Sequence, residues 1–249
     1  KNPKIGFIGG GNMGGAMIEA LWRAQSDEAG AVRSSAEDER KSSGGSEGCG
    51  AENLAQTDKN ASQCECEKKA KFEILACARS KNEALRQRFS VKIAASETDL
   101  AREADAVVLA TKPASYEAIL RLIAPELAGK ILLLLAPGFD IKRARQIVGE
   151  GVYIARAMPN IAACIGASAT ALCFDAGFSE AKKETVREII AKIGKIYEID
   201  EAGFAAFTGI AGSLPAYVCA FIEAAADAGV RGGLPRRLCY DAVCAAIEG

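Results

Sequence analysis

The chain has 249 residues, 49% of them hydrophobic, and a formal net charge of −1 from 31 Lys and Arg against 32 Asp and Glu. That length supports one large or two small domains with a real core, and the charge balance gives no attraction toward nucleic acid. No run approaches the ~18 consecutive apolar residues of a membrane span, so no membrane partner is expected.

The first residues lead directly into a strand, so no signal peptide is expected. There are nine cysteines and no histidines. Several cysteines (Cys77, Cys164, Cys173, Cys219, Cys244) sit in apolar runs, where a thiol acts as a small hydrophobe. This reads as a reducing, cytoplasmic protein. Without histidine the commonest metal ligand and general base are missing. Chemistry then falls to a cofactor, hydroxyls, lysines, carboxylates or the backbone. No metal site is expected, because Cys49, Cys64 and Cys66 lack C-x2-C spacing and a histidine partner.

In chain order, Lys4 to Ile8 reads as a strand and Asn12 to Arg23 as a helix. Ser26 to Ala70 is rich in Ser, Gly, Glu, Lys and Asn and reads as a flexible insertion. Alternation then returns. Strands are expected at Phe72–Cys77, Val91–Ala94, Asp105–Ala110, Ile131–Leu135, Val152–Arg156, Ala167–Cys173 and Lys195–Ile199. Helical segments are expected at Asn82–Phe89, Asp99–Ala104, Ser115–Leu127, Ile141–Val148 and Ser179–Ile193, with Asp140 capping the fourth. Strands alternating with helices give an α/β fold with a doubly wound, mostly parallel sheet. From about Glu201 the pattern is helical only and Ala-rich, which divides the chain into a first domain over 1–200 and a second over 201–249.

Between the first strand and helix, Gly9-Gly10-Gly11-Asn12-Met13-Gly14 fits G-x-G-x-x-G. In that context the first glycine serves the tight turn, and the second lets the backbone approach a pyrophosphate at the helix N-terminus. The third allows close packing. At the end of the second strand an acid would select NAD by its ribose hydroxyl. Here Arg79-Ser80-Lys81 places two cations around a hydroxyl, which favours NADPH while leaving NADH possible.

Four stretches together resemble the pyrroline-5-carboxylate reductase family. They are IGFIGGGNMGGAMIEAL, VVLATKPASYEAIL, ARAMPNIAACIGASATALC and FTGIAGSLPAYVCAFIEAAADAGVRGGLPRRLCYDA. They occur in the family's order and cover the chain apart from the insertion, and the fourth discriminates best. The resemblance implies a Rossmann domain followed by a helical dimerisation domain, and a homodimer or higher homo-oligomer formed through the C-terminal helices. It implies hydride transfer from NAD(P)H to a small-molecule imine, 1-pyrroline-5-carboxylate, giving L-proline.

Carried over, the resemblance puts Gly9, Gly11, Asn12, Met13 and Gly14 on the pyrophosphate. Arg79, Ser80 and Lys81 fall at the adenosine end. Ala110, Thr111, Lys112 and Pro113 fall by the nicotinamide half, and Leu135, Ala136 and Pro137 by nicotinamide and substrate. No catalytic residue is assigned; Thr208 and Ser213 are the substrate-side candidates. Met158, Pro159 and Asn160 are expected to shape the turn after their strand rather than to touch ligand.

The chain departs from the family's pattern in places. Ala211 and Leu214 replace a serine and a glycine, Asn160-Ile161-Ala162 stands for N-T-P, and the family's ribose asparagine is missing near Glu97. The chain closes at Gly249 before the family's last helices, so the helical domain is expected to be incomplete with uncovered apolar faces. Two other readings stay open: an NADP-binding non-catalytic or degenerate homologue, and a β-hydroxyacid-type dehydrogenase. Against the second, Gly209 to Tyr217 contains no lysine.

Overall fold

Eight short strands assemble into one sheet in a computed structural model, which describes residues 2–25, 72–78, 82–89 and 91–249. The expected insertion over 26–70, the cysteines Cys49, Cys64 and Cys66, and the Arg79-Ser80-Lys81 cluster lie outside the described residues.

The strands are β1 (Lys4–Ile8), β2 (Glu73–Cys77), β3 (Lys92–Ile93), β4 (Ala106–Leu109), β5 (Ile131–Leu134), β6 (Tyr153–Met158), β7 (Ser168–Phe174) and β8 (Gly194–Glu198), in spatial order β3-β2-β1-β4-β5-β6-β7-β8. Every neighbouring pair is parallel except β6–β7. The exception follows from connection length. A parallel return needs a crossover of about a dozen residues or more, and Pro159 to Ala167 is too short for one. This stretch forms a single 3₁₀ turn, Ile161–Ile165.

Helices α1 (12–25), α2 (Asn82–Arg88), α3 (Glu97–Glu103), α4 (Tyr116–Ile123), α5 (Ile141–Val148) and α6 (Glu180–Ala191) cover the sheet. Side chains alternate across the strands, so β1 sends Ile5 and Phe7 to a core with Met17, Ile18 and Leu21 of α1. The other face buries Ile8, Val107, Leu109, Leu132 and Leu134 with Leu100, Leu120 and Ala144 of α3, α4 and α5. Burial on both faces makes these strands continuous apolar runs. Asp140 caps α5 by accepting from the Arg143 N–H at 2.7 Å, and Ser96 caps α3 through the Asp99 N–H at 3.1 Å. The helix expected over Ser115–Leu127 is divided. Pro113 opens a 3₁₀ turn before α4 and Pro125 lies in another after it, because a proline cannot donate within a helix.

After β8 the chain is helical: a 3₁₀ turn Glu201–Gly203, α7 (Phe204–Phe207), a π-turn Thr208–Gly212, α8 (Leu214–Arg231) and α9 (Arg236–Glu248). Phe204 plugs this segment into the second core, and Arg156 stacks over its ring at 4.6 Å while donating to Glu201 at 2.9 Å. Helices α8 and α9 pack against each other through Gly229, where a Cβ would lie 2.7 Å from the Cys239 sulfur. Ala226 and Cys239 are buried there, and the remaining side chains are partly or fully exposed.

The cysteines need a correction. Cys77 and Cys173 are buried, but Cys164, Cys219 and Cys244 are exposed, because the apolar runs that carry them form a surface turn and helices whose apolar sides face outward. The helical run Glu201–Arg231 is also long and apolar enough to cross a membrane by length and composition. Counting consecutive apolar residues passes over it because Thr208, Ser213 and Pro215 break the run before Glu223 is reached.

Candidate functional site

The turn after β1 separates three roles for its glycines. Gly9 adopts φ +104°, its N–H donates to the Cys77 carbonyl at 2.8 Å, and a Cβ there would lie 2.7 Å from the Ala110 carbonyl oxygen. Gly14 packs α1 down on the turn, since a Cβ on it would lie 2.2 Å from the Gly9 oxygen. A Cβ on Gly11 would meet nothing within 4 Å. The fold explains Gly9 and Gly14; the space beside Gly11 is left open. The first bond of α1 runs from the Gly15 N–H to the Gly11 carbonyl at 2.8 Å. The N–H groups of Asn12, Met13 and Gly14 therefore have no acceptor inside the helix, and Gly11 has no side chain to cap them. They form the positive end of a helix, which suits an anion.

A cleft of ≈ 620 Å³ lies against this turn. Gly9 to Asn12 form one wall and Ala110 to Pro113 the other, at the switch point where the strand order reverses. Cys77, Ala78 and Glu97 also line it. Met13 is half-buried and packs on the first core instead. The hydroxyl oxygen of Thr111 is buried without a partner in the protein. Such an orphan costs about 1–3 kcal/mol unless something else satisfies it. Lys112 contributes its backbone, with a carbonyl that accepts from the Ser115 N–H at 3.0 Å and the Ser115 hydroxyl at 3.1 Å. Its side chain is exposed.

The exit of β5 stands apart from this cleft. Leu135 and Ala136 have buried side chains and Pro137 is exposed. Between the two exits lies Tyr116, fully buried, which sequence reading saw only as one residue of a helix. Its hydroxyl donates to the Leu109 carbonyl and accepts from the Leu135 N–H at 3.1 Å. Burial pushes the phenol up to about 12.

Thr208 and Ser213 bracket the π-turn, a rare form of helix that is frequent at functional sites. The Ser213 N–H donates to the Thr208 carbonyl at 2.9 Å, and the Thr208 hydroxyl donates to the Phe204 carbonyl at 2.7 Å. Asn160 fixes this turn to the sheet. Its amide donates to the Ala211 carbonyl at 3.0 Å, its side-chain oxygen accepts from the Ala162 N–H at 3.2 Å, and its own N–H donates to the Ser168 hydroxyl at 3.0 Å. Asn160 follows β6, whose carboxyl end is on the same edge of the sheet as those of β1, β4 and β5. Three strand spacings separate β6 from β1, about 14 Å. The π-turn and the glycine turn thus lie at the same edge of the sheet. Leu214, which starts α8, is half exposed and lines an apolar groove beside the π-turn with Ile210 and Phe207.

Residues 201–249 match the family model described as pyrroline-5-carboxylate reductase dimerisation, and residues 51–137 match that for NADP oxidoreductase coenzyme F420-dependent. These matches make the chain similar to the pyrroline-5-carboxylate reductase family. The enzyme of that name from Glycine max is 37% identical over 151 residues, 60% of this chain and 55% of that protein. The Escherichia coli enzyme is 32% identical over 167 residues, 67% of this chain and 62% of that protein. The chain spans about half the length of the curated relatives it matches. Among solved structures, the Plasmodium falciparum pyrroline carboxylate reductase with NADP bound covers all of this chain, with 77% of its own length matched. It superposes with a TM-score of 0.73 at 27% identity. The Streptococcus pyogenes family member covers 98% of this chain and 76% of its own, with a TM-score of 0.73 at 28% identity.

Proposed function

We propose that the chain binds NADPH in the glycine cleft and serves the reduction of 1-pyrroline-5-carboxylate to L-proline. The observation that carries the cofactor half is the open space beside Gly11, in front of three unpaired helix N–H groups. The orphaned Thr111 hydroxyl on the facing wall also suits a polar ligand. Gly9, Gly11, Asn12, Met13 and Gly14 hold the pyrophosphate in this reading, and Ala110 to Pro113 and Leu135 to Pro137 take the nicotinamide half. Arg79, Ser80 and Lys81 meet the adenosine end, which favours NADPH over NADH.

When bound, the nicotinamide supplies the hydride. The protein supplies binding, orientation and a suitable field. The Thr208 proton is committed to the Phe204 carbonyl, so its oxygen offers lone pairs. Lone pairs suit the N–H of a protonated imine, an electrophile that needs no strong acid. Ser213, at the other end of the π-turn, is the second substrate-side candidate. Residues 1–200 form the cofactor domain and 201–249 the helical domain of a cytoplasmic homodimer or higher oligomer. The free thiols of Cys77, Cys164, Cys173, Cys219, Cys239 and Cys244 suit a reducing compartment.

The test is NADPH oxidation followed at 1-pyrroline-5-carboxylate saturation, with NADPH binding measured separately. Turnover in this chain, or in the full product of its gene, supports the reductase. Binding without turnover in either form replaces it with the non-catalytic homologue. Absence of binding removes the cofactor assignment.

A further inference from the structure

The ladder between β4 and β5 has a fixed phase. The Ile131 N–H donates to the Asp105 carbonyl at 3.2 Å. Stepping by twos along the parallel register from Ala106↔Ile131 to Leu109↔Leu134, the next rung pairs the Leu135 N–H with the Leu109 carbonyl. These two groups are joined through the Tyr116 hydroxyl instead, which accepts from the first and donates to the second. One oxygen is inserted into the ladder at the edge where the crevice opens, which widens that rung by up to about 3 Å. The insertion is held firmly. Tyr116 is fully buried, its ring packs on Phe139 with centroids 5.1 Å apart, and burial keeps the phenol protonated at ordinary pH.

We propose that Tyr116 is a positioning residue for the nicotinamide half of bound NADPH, its hydroxyl setting the gap between the exits Ala110–Pro113 and Leu135–Pro137. The inference rests on the cofactor reading above. Both groups that the hydroxyl bridges lie at the start of those exits, so the width of the rung passes directly into the position of Ala110 and Ala136. Without the hydroxyl, the strands either close into a direct rung or leave the Leu135 N–H and the Leu109 carbonyl unpaired. Each outcome moves the exits. The β4 side is anchored to the glycine turn, because the Ala110 N–H donates to the Ile8 carbonyl at 2.9 Å, so the β5 exit takes up most of the movement.

The test is Tyr116→Phe, which keeps the ring and removes the oxygen. NADPH and 2′,5′-ADP, which has no nicotinamide, are titrated against it and against the unaltered chain. The NADPH Kd rises about tenfold, the scale of one lost buried hydrogen bond, while the 2′,5′-ADP Kd stays within about twofold. Equal weakening of both, which a general loss of structure gives, overturns the proposal, and so does no change in either. An unaltered chain that binds neither nucleotide removes the cofactor reading, and this proposal with it. Should Tyr116→Phe unfold, Phe139→Leu carries the test: it keeps the hydroxyl and loosens the ring that holds it. A selective NADPH loss of about threefold is expected there, and no selective loss is a refutation.

Discussion

Gly11 and Gly14 differ in what a methyl group would meet, and this separates the needs of the fold from those of a ligand. Gly14→Ala forces a Cβ to 2.2 Å from the Gly9 oxygen, so the turn must open and the melting temperature fall by several degrees. Gly11→Ala meets nothing within 4 Å, so its melting temperature stays within about 2 °C of the unaltered chain, while NADPH affinity drops at least about tenfold. Thermal melts and fluorescence titrations of the two variants decide this, and NADPH binding by Gly11→Ala at unaltered strength would place the phosphates elsewhere. Thr111→Val has a converse signature. Removing an unpartnered buried hydroxyl leaves stability equal or higher, yet weakens NADPH, and Thr111→Ser restores the affinity. The glycine turn was legible because its requirements are local: a strand, a turn and a helix within a few residues. Tyr116 was not, because its hydroxyl bonds to Leu109 and Leu135, seven and nineteen residues away, and in the sequence it reads only as an apolar position of an amphipathic helix.

Helix α3 is held to the sheet by an ion cluster as well as by packing. Glu103, at its last turn, accepts from the Lys4 ammonium on β1 at 2.7 Å and from the Lys92 ammonium on β3 at 2.6 Å. These two bonds hold its carboxyl at about 2, below the ordinary 4.5. A depressed carboxyl contributes stability that is fully present above the unfolded value of 4.5 and is lost as pH falls toward 2. Glu103→Gln should therefore melt lower than the unaltered chain at pH 7, with the gap closing between pH 4.5 and 2. A gap that persists at pH 2 would mean that packing, not charge, sets the difference. The central strands β1, β4 and β5 were legible because each is a nearly continuous apolar run buried on both faces. The direction of β7 lay in the length of the Pro159–Ala167 connection, which periodicity ignores. The π-turn left no pattern in Thr208–Gly212, because Asn160, about fifty residues earlier in the chain, fixes it by holding the Ala211 carbonyl.

At the scale of the molecule, the sheet and the last helices differ in how they satisfy their apolar residues. The central strands of the sheet bury theirs on both faces. Along α8, Leu214, Tyr217 and Phe221 recur at spacings of three and four, so they share one side of the helix, and they are 51%, 61% and 63% exposed. Leu234 and Leu238 add to the apolar exposure on and before α9. Burying one such side chain is worth about 1.5–3 kcal/mol, so a row of them favours a second surface of the same kind. The match of residues 201–249 to a dimerisation model agrees with a second copy as that surface. Phe221→Glu puts a charge in the middle of the row, and burying it unpaired in a copy-to-copy contact costs more than the contact gains. Sedimentation at micromolar concentration should then find the unaltered chain as a dimer or larger and the variant as a monomer. NADPH affinity should be unchanged, because the cleft between Gly9–Asn12 and Ala110–Pro113 is built within one chain. A variant that stays assembled would take Phe221 out of the contact. A variant that turns monomeric and also loses NADPH would tie the cleft to the assembly, a coupling that the one-chain geometry of the cleft argues against.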